Sequence, residues 1–90
     1  MRVYKFDYIQ DPSHGWVKVP VALLERFGIA DKITPFSYRR KSYAYLEEDN
    51  DLSTLVNELE LRRIPFMYDT KIAHRKQSKI RSYQHYYIGD

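Results

Sequence analysis

Ninety residues with 43% hydrophobic and 16% aromatic content describe one folded domain with one core, too short for a deep internal cavity and too apolar to be disordered by composition. The formal charge is +3, from 15 Lys and Arg against 12 Asp and Glu, and the absence of cysteine excludes disulfides, thiol catalysis and Cys-ligated zinc. No apolar run is long enough to span a bilayer, and Met1 to Asp7 lacks the apolar stretch of a signal peptide, so a soluble cytoplasmic protein is expected.

Residues 2–9 alternate, with Tyr4, Phe6 and Tyr8 on one side and Val3, Lys5, Asp7 and Ile9 on the other, which predicts a strand. Asp11-Pro12-Ser13-His14-Gly15 reads as a loop. Trp16, Val17 and Val19 form a short extended entry to a first helix. Pro20 opens that helix, Leu23, Leu24 and Phe27 supply its apolar stripe, and Gly28 stops it. Phe36-Ser37-Tyr38 and Tyr43-Ala44-Tyr45-Leu46 predict two strands, linked tightly by Arg39, Arg40, Lys41 and Ser42. Asn50 or Asp51 can cap a second helix, in which Leu52, Leu55, Val56 and Leu59 recur at i, i+3, i+4 and i+7. Arg62 and Arg63 suit its last turn and Pro65 ends it. Phe66, Tyr68, Thr70 and Ile72 then alternate as a fourth strand. Ser78 to Tyr87 fits either a helix, with Ile80, Tyr83 and Tyr87 on one face and Ser78 as cap, or a strand.

The resulting order, β-α-β-β-α-β, is that of a single α+β domain of ferredoxin-like arrangement: an antiparallel sheet with both helices on one face and the other face open. Residues 1–72 would form the core and 73–90 a basic, aromatic C-terminal extension packed on it or projecting from it.

That extension carries the strongest functional signal. No carboxylate side chain falls between Asp69 and Asp90, while Lys71, Arg75, Lys76, Lys79 and Arg81 lie there with His74 and His85, interleaved with Tyr83, Tyr86 and Tyr87. Cations beside flat rings suit a polyanion with stackable bases, because charge holds phosphates and rings hold bases. Solvated cations over tyrosines docked on the sheet, or complementarity to an acidic protein surface, would leave the same pattern. Arg39, Arg40 and Lys41 would extend the basic track, and Tyr43 and Tyr45 would add stacking from the third strand. Lys41-Ser42-Tyr43-Ala44-Tyr45-Leu46 locally resembles the RNP1 pattern of RNA-recognition motifs, with Ser42 in place of its glycine and Glu48 at its final aromatic position. Alternating aromatics also suit any half-buried strand.

A different chemistry could be built from His14 with Glu47, Glu48 and Asp49 as a metal-assisted hydrolytic site. Their spacing matches no established motif, and acids at a helix N-terminus are favourable without a ligand. Trp16 reads as a core anchor. No catalytic residue, metal or cofactor is therefore expected.

His14-Gly15-Trp16, Val19-Pro20, Leu23-Leu24, Gly28-Ile29, Asp31-Lys32-Ile33, Ser37-Tyr38, Tyr45 to Asp49 and Ile80-Arg81-Ser82-Tyr83 together resemble a family of small proteins encoded by bacteriophages, plasmids and some bacterial genomes. The resemblance brings no assigned activity. It implies a small module that acts on host nucleic-acid machinery or host defence. The expected function is a non-catalytic binding module contacting nucleic acid or a host nucleoprotein. The rival is an anti-defence or regulatory protein that binds a host protein, and a metal-dependent hydrolase is a distant third. No membrane partner is expected, and exposed strand edges would permit a homodimer.

Overall fold

Alternation of ring and polar residues builds the first strand, β1 (Tyr4–Gln10), and the loop after it turns the chain straight back into β2 (Gly15–Pro20). Helix α1 (Val21–Arg26) follows, then a 3-10 turn at Ala30–Lys32, strands β3 (Tyr38–Arg40) and β4 (Tyr43–Glu47), helix α2 (Leu52–Leu61) and strand β5 (Phe66–Ile72). A second 3-10 turn at Lys79–Ser82 leads into the two-residue strand β6 (Gln84–His85). The computed structural model describes residues 2–72 and 79–87.

The six strands form one mixed sheet in the order β5-β1-β2-β4-β3-β6. β1 and β5 run parallel, and the remaining neighbours are antiparallel. The chain is thus α+β, as its patterning predicts, but neither the ferredoxin-like strand order nor the wholly antiparallel sheet holds. The cause is the segment read as an entry to α1. It is a full strand, paired on one side with β1 and on the other with β4. Its side chains are buried on both faces of the sheet, Val17 and Val19 on one and Trp16 on the other. A central strand packed from both sides loses the polar alternation that marks a half-exposed one.

Both helices cover one face. Val21, Leu23 and Leu24 from α1, Phe27 at its C-terminal end, and Leu55 and Leu59 from α2 join Phe6, Val17, Val19, Ala44 and Leu46 of the strands in one core. Each helix ends in a Schellman motif. Gly28 N–H and Ile29 N–H donate to the carbonyls of Glu25 and Leu24, with Gly28 at φ 70°. Arg63 holds the same left-handed position after α2 at φ 56°, where its N–H and that of Ile64 donate to Glu60 and Leu59.

The opposite face carries a smaller core of Trp16, Tyr45 and Ile80, packed with Ile9, Tyr38 and Tyr83. The described part of the C-terminal extension, residues 79–87, is therefore integral to the fold. It lays Ile80 and Tyr83 on this second face, pairs β6 with β3, and returns Tyr86 to the helix-side core. The segment is a 3-10 turn followed by a short strand; Ser78, read as a cap, lies outside the described residues.

Asp51 precedes α2, as predicted, but its carboxylate does not cap the helix. It is 1% exposed and accepts hydrogen bonds from Thr34 N–H, Thr34 Oγ1 and Ser37 Oγ. Ser37 Oγ accepts in turn from Glu47 N–H. This buried hub pins residues 34–37 to the loop after β4, and each of its polar atoms has a partner, as burial demands.

Four phenols are held above their ordinary pKa, chiefly by burial: Tyr8 is pushed from 10.0 up to about 12, with Glu48 adding to the effect, and Tyr45, Tyr68 and Tyr86 are raised in the same direction. A phenol that holds its proton more tightly folded than unfolded gives stability that is complete below pH 10 and lost as the pH climbs toward the folded value. Urea midpoints are expected to fall steadily between pH 10 and pH 12, and Tyr8→Phe should flatten that fall. A midpoint independent of pH across this window would show that these rings are not buried as described.

Candidate nucleic-acid interface

Strand register decides which cations meet. Lys18 lies opposite Tyr45, Tyr38 lies opposite Tyr45, and Arg40 and Pro20 both lie opposite Tyr43. These residues therefore share the face away from the helices. At the end of the sheet where β3 turns into β4, Lys18, Arg40, Lys41, Ser42, Tyr43, Tyr45 and Tyr83 line one groove. No carboxylate lines it.

The turn itself is Lys41-Ser42 alone, because Arg39 and Arg40 belong to β3 rather than to the link. Lys41 sits at φ 56°, a strained position for a residue with a Cβ. Its strand neighbours aim outward from there. Lys18 Nζ stands 4.3 Å from the centre of the Tyr43 ring, and the Arg40 guanidinium 5.2 Å from that of Tyr83. Arg39 lies opposite Ala44 and so starts from the helix side, yet at this open edge it joins Arg40, Lys41, Tyr83 and Gln84 around a shallow concavity. Among the described residues, none of Lys18, Arg39, Arg40 and Lys41 forms an ion pair. A further groove shares Lys18 and Tyr43 and adds Arg2, Lys5 and Arg26, with Asp7 as its acid.

The structure brings Arg39, Arg40, Lys41, Tyr43 and Tyr83 together with Tyr45 beneath them. Tyr45, at 7% exposure, is the floor under Tyr83, their ring centres 5.1 Å apart, so it supports the groove and offers no face to a base. Of the two RNP1-like aromatics, only Tyr43 is exposed, at 40%. Tyr86 is 1% exposed and donates its hydroxyl to the carbonyl of Ala30, which removes it from any stacking role. The Arg81 guanidinium is already engaged, since its Nε and Nη2 donate to both carboxylate oxygens of Asp11 at 2.9 and 3.2 Å. Lys71 sits opposite Ile9 on the edge strand β5, at the far end of the sheet, 3.5 Å from Asp69. Lys79 and Tyr87 are exposed. Arg75 and Lys76 lie outside the described residues.

Lys18 was not singled out by sequence reasoning. The signal was present: once Trp16–Val19 is a strand, the polar residue between two inward valines must face the other side.

At the opposite end of the sheet two loops are tied together. Asp11 Oδ1 accepts the N–H groups of Ser13 and His14, and Glu48 N–H donates to the carbonyl of Gly15. A Cβ on Gly15 would stand 2.6 Å from the Tyr8 ring and 2.8 Å from a Glu48 oxygen, so any other residue would have to push these two side chains aside. The Tyr8 hydroxyl donates to Glu48. His14, Glu47 and Asp49 face one another, with ligand-type atoms within 4.8 Å. No helix among the described residues is long and apolar enough to cross a membrane.

In comparisons with known proteins, the chain matches no family model, no curated protein and no solved structure.

Proposed function

We propose that this protein is a non-catalytic module that binds single-stranded nucleic acid across the β3–β4 end of its sheet. One observation carries the reading. Four cations that form no ion pair among the described residues, Lys18, Arg39, Arg40 and Lys41, converge from two strands and a turn on two adjoining concavities that share Arg40, Lys41 and Tyr83, include Tyr43 and are lined by no carboxylate. Phosphates neutralise the cations, and an exposed tyrosine ring stacks on a base without reading its identity. A duplex hides its base faces, so the rings favour a single strand.

Four neutralised phosphates on a single strand give a slope of log affinity against log salt of about −2.8, or roughly 50-fold weaker binding at 200 mM than at 50 mM salt. Fluorescence anisotropy with labelled single-stranded RNA, single-stranded DNA and duplex DNA tests this. The variant Lys18→Ala, Arg40→Ala, Lys41→Gly keeps the turn, since glycine suits the φ of residue 41. It should bind weakly, with a slope near −0.7. Salt-independent binding, or full affinity in this variant, would overturn the proposal, as would a preference for duplex.

A further inference from the structure

We infer that His14, Glu47 and Asp49 form a binding site for a divalent first-row transition-metal ion, with Zn2+ the best match to one imidazole and two carboxylates. The site is at the end of the sheet opposite the basic groove and is independent of it.

Glu47 is the fixed member. It is 7% exposed at the end of β4, and its Oε2 accepts from Asp49 N–H at 2.8 Å and from Asn50 Nδ2 at 2.7 Å. Its Oε1 faces Nδ1 of His14 at 3.6 Å. Two ligands each about 2.1 Å from a tetrahedral metal stand about 3.4 Å apart, so this pair is already at ligand spacing. Asp49 is exposed and offers a carboxylate oxygen within 4.8 Å of the ligand atoms of both. The hydrogen bonds on Glu47 Oε2 supply the outer contacts that orient a metal-bound carboxylate. Asp11 holds the backbone of His14 in place, so both halves of the site are formed before any ion arrives.

A second observation points to a ligand here. Trp16 is 2% exposed, and among the described residues its indole Nε1 is the buried side-chain polar atom with no hydrogen-bond partner. Trp16 walls the same concavity as His14, Glu47, Asp49 and Arg81. A buried N–H without a partner is costly, and it belongs to the ring that walls the concavity onto which the open positions of a three-ligand metal would face. Three protein ligands leave such positions open.

A simple ion pair between His14 and Glu47 is the competing account, and Asp49 separates the two. Calorimetric titration of the full chain with Zn2+, with Mg2+ as the hard-cation control, should show one saturable Zn2+ site and no comparable Mg2+ binding. His14→Ala and Asp49→Asn change exposed residues and leave the core intact; each should weaken Zn2+ binding at least tenfold. Co2+ substitution should give ligand-field absorption that both variants lose. Absence of saturable Zn2+ binding would overturn the inference. So would Zn2+ binding that survives both substitutions, since the ion would then sit on other histidines.

Discussion

Tyr86→Ala is expected to destabilise the fold by about 3–5 kcal/mol, the range for removing a large buried ring. In a domain of this size that lowers the melting temperature by on the order of 12 °C or more. The ring belongs to the helix-side core, its hydroxyl donates to the carbonyl of Ala30 at 2.7 Å, and its N–H donates to the carbonyl of Ser37 at 2.9 Å. Truncation opens a cavity under the segment that Asp51 and Ser37 hold in place. Tyr86→Phe keeps the ring and loses one hydrogen bond, so it should cost only about 1 kcal/mol. Thermal and urea unfolding of the two variants measures the difference. If Tyr86→Ala melted like the parent, the final residues would not be part of the core, and the stacking role expected from sequence would be open again.

Tyr86 also shows where sequence reasoning stops. Tyrosines among lysines and arginines look the same whether they face solvent or turn inward, because the side chain has an apolar body and a polar tip. Tyr83, Tyr86 and Tyr87 follow one another closely, yet one lines the groove, one is core and one is exposed. Local pattern did reveal what local forces set. The leucine spacing of α2, the Gly28 stop and the alternation in β1 and β5 are each determined within a few residues, and each element forms where its pattern lies.

Features set by distant partners were hidden. β2 is short and apolar, and only its pairing with both β1 and β4 makes it a central strand. Asp51 reads as a helix cap because caps are local, whereas its partners Thr34 and Ser37 come from an earlier loop. In the groove, Arg39, Arg40 and Lys41 were visible as a run of charge. That Lys18 stands beside them depends on a strand register that no run of residues spells out. His14 and the acids around the end of β4 could be named as a set, but their meeting depends on the β2–β4 register that places Trp16 opposite Glu47.

The sharpest case is Arg81, and Arg81→Ala should destabilise the fold by about 1.5–3 kcal/mol, the range for losing hydrogen bonds to a charged group, since Asp11 keeps the N–H groups of Ser13 and His14. In sequence Arg81 is one cation in a basic stretch. In the structure it reaches across 70 residues to Asp11, whose carboxylate is 0% exposed. The guanidinium engages both carboxylate oxygens and also lies 5.4 Å from the centre of the Trp16 ring. Asp11 meanwhile holds the N–H groups of Ser13 and His14, so the contact fastens the β1–β2 loop to the last part of the chain. A solvated surface pair would be worth at most about 1 kcal/mol. A double-mutant cycle of Arg81→Ala with Asp11→Ala separates the cases: a coupling above that value places the pair in the fold, and a coupling near zero returns Arg81 to the pool of surface cations. The same variant tests the division of labour between the two ends of the sheet. Arg81→Ala, assayed at a temperature where it remains folded, should leave the salt slope of nucleic-acid binding unchanged, because its charge is already spent on Asp11. A slope that drops by about 0.7 would mean that Arg81 neutralises a phosphate and that the clamp opens on binding.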